Sequence, residues 1–131
     1  MPAPIRVLLV EDNDVYRETL EFLLRRSPGI DVVGAVADGA SAAGACAELG
    51  ADVVVVDYRL PDMDGPAAAA GVQRRCPGSA IVILSASAGA KERESARIAA
   101  MEFVRKDEGV EALLDAVRAA AGRGGRRAAD D

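Results

Sequence analysis

The segment VVVVDYRLPDMDG, residues 53–65, carries most of the information about the fold. Its four consecutive valines form an unbroken apolar run, which is typical of a parallel strand that is buried on both faces. The run ends at Asp57, and a helix is predicted to open at Asp64-Gly65-Pro66, because proline is tolerated in the first turn of a helix. The segment therefore predicts a buried strand, a short connection and a helix.

Further apolar runs of the same kind predict strands at Ile5–Val10, Val32–Ala37, Ala80–Leu84 and Phe103–Val104. Helical spacing and helix boundary signals predict helices over about Val15–Arg26, Gly39–Leu49, Gly65–Cys76, Lys91–Ala100 and Val110–Ala121. Strand and helix thus alternate along the chain with short connections. This pattern predicts an α/β fold, a single doubly wound domain with a parallel sheet and right-handed crossovers.

Length and composition agree with one domain. The chain has 131 residues, a net charge of -5 and 50% hydrophobic residues, with 3% aromatics. We expect the domain in residues 1–121 and a flexible tail or linker in residues 122–131, where GRGGRRAADD lacks periodicity. The two cysteines, Cys46 and Cys76, lack a C-x-x-C spacing, and no apolar run approaches the roughly 20 residues of a membrane span. We therefore expect a reduced, cytoplasmic protein without a disulfide.

The composition also excludes several classes of function. The chain has no histidine, so histidine-based zinc sites and Ser–His–Asp triads are impossible. Neither a Walker A pattern nor G-x-G-x-x-G occurs, and ATP or dinucleotide binding is therefore not expected. An acidic chain with few aromatics is a poor nucleic-acid-binding surface, so we expect no direct nucleic-acid binding and no membrane partner.

Polar residues follow the predicted strands at the sheet edge where open parallel sheets bind ligands. The first strand ends in Glu11 and Asp12, the third in Asp57, the fourth in Ser85, and the fifth is followed by Lys106. One acidic residue after a strand is an ordinary turn or helix-capping residue. The five positions together indicate a functional site.

The chemistry of this set is that of phosphoryl transfer to a carboxylate. Carboxylates packed together repel one another and need a cation, and an all-oxygen site suits Mg²⁺. An ionised aspartate beside a metal can attack phosphorus as a nucleophile, while a lysine and a hydroxyl stabilise the phosphoryl oxygens. The residues alone therefore predict a site that forms an aspartyl phosphate.

Motifs at the strand ends resemble the receiver domain of two-component response regulators. They are VLLVEDND at residues 7–14, VVVVDYRLPDMDG at 53–65, IVILSAS at 81–87 and EFVRKD at 102–107. The resemblance covers about residues 4–121 and is strongest to regulators of the NarL/LuxR type. It implies a flavodoxin-like fold, with a five-stranded parallel sheet in the order 2-1-3-4-5 and helices on both faces.

The resemblance also implies a role for each matching residue. Asp57 becomes the phosphoacceptor, and Lys106 and Ser85 contact the phosphoryl group. Ser85 and Phe103 become the switch pair, in which the aromatic ring follows the hydroxyl. The implied Mg²⁺ ligands are Glu11, Asp12, Asp57 and the backbone carbonyl of Arg59.

Three departures from the family pattern fall on its usual output face. The segment Ala99–Glu102 lacks the glycines that the family commonly has before the switch aromatic. Phe103 stands where tyrosine is frequent, and Lys106 is followed by Asp107 where the family has proline. These differences concern the details of signalling and leave the phosphorylation chemistry intact.

The resemblance implies a signalling module that catalyses only its own phosphorylation and dephosphorylation. A histidine kinase would donate the phosphoryl group, and the switched surface would form a homodimer or control an output domain absent from this chain, in transcriptional regulation. The alternative is a degenerate receiver that acts as a constitutive interaction module. A haloacid-dehalogenase-type hydrolase would need an acid where Arg59 stands, and a flavodoxin-like cofactor binder would need a phosphate loop where Glu11 and Asp12 stand.

Overall fold

The structure, a computed structural model, describes residues 3–86 and 101–130. Five parallel strands form one sheet in the order β2-β1-β3-β4-β5, which confirms the predicted fold class and strand order. The strands are β1 (Ile5–Val10), β2 (Ile30–Val36), β3 (Val53–Asp57), β4 (Ala80–Ser85) and β5 (Glu102–Arg105). Each prediction of a strand is confirmed: β1 has the predicted boundaries, and those of the other strands differ by at most two residues.

Helices cover both faces of this sheet. Those in the described residues are α1 (Asp14–Arg25), α2 (Ala42–Leu49), α3 (Gly65–Arg75) and α4 (Val110–Asp130), with a short 3-10 turn at Lys106–Glu108. The helix predicted at 91–100 lies outside the described residues. Helix α4 continues past 121, where we expected it to end, while the division into a domain of 1–121 and a tail of 122–131 stays a prediction.

The valines of β3 show how the sheet is buried. Val53 and Val55 belong to the core cluster that α1 and α4 cover, whereas Val54 and Val56 belong to the cluster that α2 and α3 cover. All four valines are buried. Their unbroken apolar run is therefore explained by a strand that packs helices on both of its faces.

Local signals place the helix ends near the sheet edge. Asn13 caps α1 by accepting a hydrogen bond from the backbone N–H of Tyr16 at 2.9 Å. Asp64 caps α3 in the same way through Ala67, at 2.8 Å. Gly50 ends α2 in the left-handed conformation, with φ of 65°.

Within the described residues, no helix is long and apolar enough to cross a membrane.

One expectation about α1 is wrong in part. The predicted apolar stripe of that helix included Val15, Leu20, Leu23 and Leu24. Leu20 and Leu24 are buried, but Val15 is 75% exposed because, at 3.6 residues per turn, it lies on the side of the helix opposite to Leu24. Phe22 on the same helix is 60% exposed.

Candidate functional site

The end of β1 places two carboxylates at the sheet edge. Glu11 continues the strand pairing, since its backbone N–H donates to the carbonyl of Val36 at 3.0 Å, and its side chain is buried. The chain then turns into α1, so that Asp12 lies exposed beside it. The backbone N–H of Asn13 donates to Glu11 Oε2 at 3.1 Å, which fixes the orientation of the buried carboxylate.

The end of β3 places Asp57 next to them. Its side chain is buried, and the following connection turns back sharply, with Gly65 N–H donating to the carbonyl of Tyr58 at 2.6 Å. A Cβ atom on Gly65 would lie 2.7 Å from the carbonyl oxygen of Asp57 and 2.9 Å from Tyr58 Cα. Glycine is therefore required for α3 to begin this close to the end of the strand.

The structure brings the predicted acidic residues together with the predicted lysine. Carboxylate oxygens of Glu11, Asp12 and Asp57 lie within 4.8 Å of one another. Lys106, directly after β5, donates from Nζ to Glu11 Oε1 at 2.8 Å and to Asp57 Oδ2 at 3.4 Å. One ammonium group therefore contacts two of the three carboxylates, and the pocket keeps an excess of negative charge.

The electrostatics differ between the two buried acids. Burial and then the carboxylate of Glu11 raise the pKa of Asp57 to about 6, so ionising it costs about 3 kcal/mol more than in water. For Glu11, burial works against ionisation, but hydrogen bonds from Lys106 and Asn13 hold its pKa below the ordinary value. Burial likewise opposes the charge on Lys106, yet its two carboxylate partners raise its pKa. At neutral pH all three groups are therefore charged.

A cavity of about 80 Å³ opens beside Asp57. Its lining includes Tyr58, Arg59, Ser85 and Lys106. This is several times the space that one water molecule needs, so a small anionic group can be accommodated against the aspartate. Ser85, the last residue of β4, is buried and lines this cavity.

The remaining predicted residues are Arg59, which lines this cavity, and Phe103, which lies on β5. Arg59 forms an isolated antiparallel bridge with Asp64, which shapes the β3–α3 connection. Phe103 pairs with Ile83 in the β4–β5 register and packs, half-buried, against the core cluster under α2 and α3. The aromatic ring is thus supported by the core on the sheet face opposite to α1 and α4.

Two residues of α1 contribute to the site although sequence reasoning did not select them. The ring centre of Tyr16 lies 4.3 Å from Lys106 Nζ, a cation–π contact. Arg17 donates to the backbone carbonyl of Glu11 at 2.9 Å and to Asp14 Oδ1 at 2.6 Å, which ties the β1–α1 connection to the helix. Their position within one helical turn of Glu11-Asp12 was the available signal.

The donor set determines which ions fit. Three carboxylates that offer oxygen atoms within 4.8 Å form a site for a hard divalent cation. The ammonium of Lys106 and the cavity beside Asp57 can together hold an anionic group attached to this aspartate. The arrangement can therefore hold a cation and an anionic group side by side.

Comparison with known proteins assigns the chain to a family. The family model described as the response regulator receiver domain matches residues 7–118. The chain is 35% identical over 108 residues to protein-glutamate methylesterase/protein-glutamine glutaminase 2 of Koribacter versatilis, covering 81% of the chain and 30% of that protein. A methylesterase/glutaminase of Myxococcus xanthus is 39% identical over 90 residues, covering 69% and 24%. The chain thus spans less than a third of the length of these relatives.

Solved structures of response regulators have the same fold as this chain. The response regulator domain of Thermotoga maritima CheB has 28% identity and a TM-score of 0.80, with 91% of this chain and 97% of that chain covered. A LuxR-family regulator from Aurantimonas sp. SI85-9A1 has 28% identity and a TM-score of 0.85, with 92% and 86% covered. The receiver domain of NarL from Mycobacterium tuberculosis has 30% identity and a TM-score of 0.78, with 89% and 98% covered. All three share the fold over most of their length.

Proposed function

The chain belongs to the response regulator receiver domain family, and from this premise we propose that Asp57 accepts a phosphoryl group from a histidine kinase. The observation that carries the proposal is the position of Lys106, whose ammonium lies between Glu11 and Asp57 beside a cavity of about 80 Å³. Such a group can move from a carboxylate to a phosphoryl oxygen over a short distance. The site would then switch between two sets of ion pairs.

In the proposed reaction Asp57 is the nucleophile. Its carboxylate oxygen forms the bond to phosphorus while the bond between phosphorus and the donor nitrogen breaks. A pKa of about 6 leaves the side chain ionised at neutral pH, so it can attack phosphorus without a general base. Lys106 and the hydroxyl of Ser85 would contact the phosphoryl oxygens, because both side chains line the cavity beside Asp57.

The site is proposed to use Mg²⁺. Glu11, Asp12 and Asp57 supply the carboxylates, and the backbone carbonyl of Arg59 is the fourth proposed ligand, since this residue also lines the cavity. When bound, the ion supplies positive charge that offsets the repulsion between the acids and the incoming phosphoryl group. The oxygen-only donor set supports this choice of metal.

The proposed switch consists of Ser85 and Phe103. Ser85 would be drawn toward a phosphoryl group on Asp57 by one charge-assisted hydrogen bond. Phe103 lies on the neighbouring strand and already packs against the core cluster, with no hydroxyl to solvate in an outward position. We therefore expect its ring to favour the inward position even before phosphorylation, and the region around β5 to carry the signal.

The proposed output is a change of association. The first and last helices share one face of the sheet, and α1 exposes Val15 and Phe22 there, which supports a phosphorylation-dependent homodimer. Control of an output domain, fused or separate, is the other proposed route. Among the similar proteins are LuxR-family regulators, which support transcriptional control, and methylesterases, which make an esterase output the second candidate. The chain itself is proposed to act in the cytoplasm and to catalyse only its own phosphorylation cycle.

Intact-mass analysis after incubation with acetyl phosphate tests the proposal. The wild type should gain one phosphoryl group when Mg²⁺ is present and none when the metal is chelated, while Asp57→Ala should gain none. Asp31→Ala is a matched control, since it removes an exposed carboxylate at the opposite edge of the sheet. Equal uptake by the wild type and Asp57→Ala, or uptake unaffected by chelator, would contradict the assignment. A wild type that takes up no phosphoryl group under any of these conditions would instead support the degenerate receiver.

A further inference from the structure

Packing of α2 against α3 brings the two cysteines of the chain to one place. Cys46 lies on α2 and is 1% exposed, whereas Cys76 is the residue that ends α3 and is partly exposed. Both belong to the core on the same face of the sheet. They are free thiols in the structure, and the proposed phosphorylation chemistry does not use them.

Ser79 contacts both cysteines and holds them beside one another. The hydroxyl of Ser79 donates to the carbonyl of Ala51 at 2.7 Å, and the sulfur of Cys46 lies 3.3 Å from the Ser79 oxygen and 3.9 Å from the same carbonyl. The backbone N–H of Ser79 donates to the carbonyl of Cys76 at 3.0 Å, and this tight turn holds Cys76 beside the same serine. Ser79 therefore contacts the thiol of Cys46 through its side chain and the carbonyl of Cys76 through its backbone.

The thiol of Cys76 interacts with Cys46. Burial and then a hydrogen bond with Cys46 raise the pKa of the Cys76 thiol. The guanidinium of Arg75 acts in the opposite direction. Ser79, which contacts the Cys46 sulfur through its side chain and the Cys76 carbonyl through its backbone, places the two cysteines beside one another, and Cys76 is the partly exposed one.

We propose that Cys46 and Cys76 are a modification site, at which a peroxide converts the two thiols into an intrachain disulfide. Cys76, which solvent reaches, attacks the peroxide; the O–O bond breaks, water leaves and the sulfur becomes a sulfenic acid. Cys46 then attacks that sulfur, the S–S bond forms, and the sulfenic oxygen leaves as a second water with the remaining thiol hydrogen. The protein loses two hydrogen atoms, and one hydrogen peroxide is reduced to two waters.

The surroundings of the thiols determine how fast they are oxidised and whether oxidation affects phosphorylation of Asp57. Only the thiolate attacks peroxide, so a raised pKa makes oxidation slow at neutral pH and faster in mildly alkaline solution. Among the described residues, Cys46 and the guanidinium of Arg75 act on the Cys76 thiol, and Ser79 bonds to the backbone carbonyl of Cys76. Ala51 and Ser79 precede β3 and β4, so the thiols lie at the edge of the sheet opposite to Asp57. Oxidation is therefore expected to leave phosphoryl uptake by Asp57 unchanged.

Peptide mapping of the full chain after treatment with hydrogen peroxide and blocking of residual thiols tests the proposal. We expect one species that has lost two hydrogen atoms and contains a peptide pair joined through residues 46 and 76, formed faster at alkaline pH and reversed by dithiothreitol. Cys46→Ser should stop at a sulfenic acid on Cys76, which dimedone traps. Cys46→Ala serves as a second variant if a hydroxyl in the core prevents folding.

Two results would overturn the proposal. One is a wild-type protein in which both thiols remain alkylatable after unfolding at every pH tested. The other is over-oxidation of Cys76, or a disulfide between two chains, while the thiol of Cys46 stays free. The wild-type peptide map separates these outcomes from the expected one without any variant.

Discussion

At the scale of single residues, the contacts of Lys106 define the resting state of the site. Its Nζ lies 2.8 Å from Glu11 Oε1, 3.4 Å from Asp57 Oδ2 and 4.3 Å from the ring centre of Tyr16. A cation–π contact stabilises by about 0.5–2 kcal/mol, whereas charged hydrogen bonds contribute about 1.5–3 kcal/mol each. The carboxylates therefore hold the ammonium, and the tyrosine ring restricts the directions in which it can move.

Lys106→Ala separates metal binding from the response to phosphorylation. Removing a cation from a pocket of three carboxylates should leave Mg²⁺ affinity unchanged or raise it, and Mg²⁺ should stabilise the variant against heat at least as much as it stabilises the wild type. A phosphoryl group on Asp57 would lose a partner that contributes a few kcal/mol, so most of the beryllofluoride-induced NMR shifts should disappear.

Arg25→Ala is the matched control, because it removes a cation whose partner, Glu21, lies at the far end of α1. It should behave like the wild type in both titrations. Markedly weaker Mg²⁺ binding by Lys106→Ala would show that the lysine organises the metal site, against the prediction.

The positions of the site residues could be predicted because each one directly follows a strand. Parallel strands carry such residues to one edge whatever the details of packing, and Glu11, Asp57 and Lys106 do meet there. Tyr16 could not be predicted in the same way, since its contact with Lys106 depends on how α1 sits against α4 and on a side-chain rotamer. The exposure of Val15, by contrast, could have been predicted, since at 3.6 residues per turn it lies on the side of α1 opposite to Leu24.

At the scale of elements, a single exposed carboxylate joins two connections at the edge of the sheet. Asp62, in the β3–α3 connection, accepts hydrogen bonds from the backbone N–H groups of Gly39 and Ala40, each at 2.9 Å. These bonds hold its pKa below the ordinary value. They also explain why α2 begins at Ala42 and not near Gly39 as expected, since the preceding backbone is turned toward Asp62.

Asp62→Ala should loosen the connection that carries Arg59. The Arg59 carbonyl is a proposed Mg²⁺ ligand, so we expect Mg²⁺ affinity to fall roughly threefold to tenfold, the effect of about one weakened hydrogen bond. Asp57 should remain open to phosphorylation at saturating metal. Calorimetric titration measures the affinity, and amide hydrogen exchange at residues 39 and 40 reports the lost bonds.

A control for this prediction lies in the neighbouring turn. Asp38 accepts a bond from the backbone N–H of Ser41 at 2.8 Å, within its own connection. Asp38→Ala should therefore leave the metal affinity near that of the wild type. Equal losses in the two variants would mean that any acid near the pocket strengthens metal binding by charge alone.

At the scale of the whole molecule, the sheet separates two helical faces with different properties. Helices α1 and α4 enclose one core cluster, and a groove of about 170 Å³ runs between them, lined by Tyr16, Leu20, Leu23, Lys106 and Leu113 among others. Helices α2 and α3 enclose the other cluster and hold the two thiols. The sequence predicts that both faces are covered, but it does not show that Cys46 and Cys76 meet, because only the docking of α2 on α3 brings them together.

The face of α1 and α4 is where phosphorylation-dependent association is expected. Phe22, which is 60% exposed, and Val15, which is 75% exposed, lie two turns apart on the same side of α1. Arg26 and Phe22 form a cation–π contact at 5.2 Å, so the surface combines apolar area with charge. Burying the exposed part of one phenylalanine contributes about 1–2 kcal/mol, which a symmetric interface counts twice.

Sedimentation across a concentration series, with and without beryllofluoride and Mg²⁺, measures this association. The treated wild type should form dimers at concentrations where the untreated protein is a monomer, and Phe22→Ser should raise the dissociation constant roughly tenfold or more. Ala47→Ser, an exposed substitution on α2, is the matched control for the opposite face and should dimerise normally. If the treated wild type stays monomeric at the highest concentration, the apolar side chains of α1 do not mediate self-association, and output must pass through a different protein.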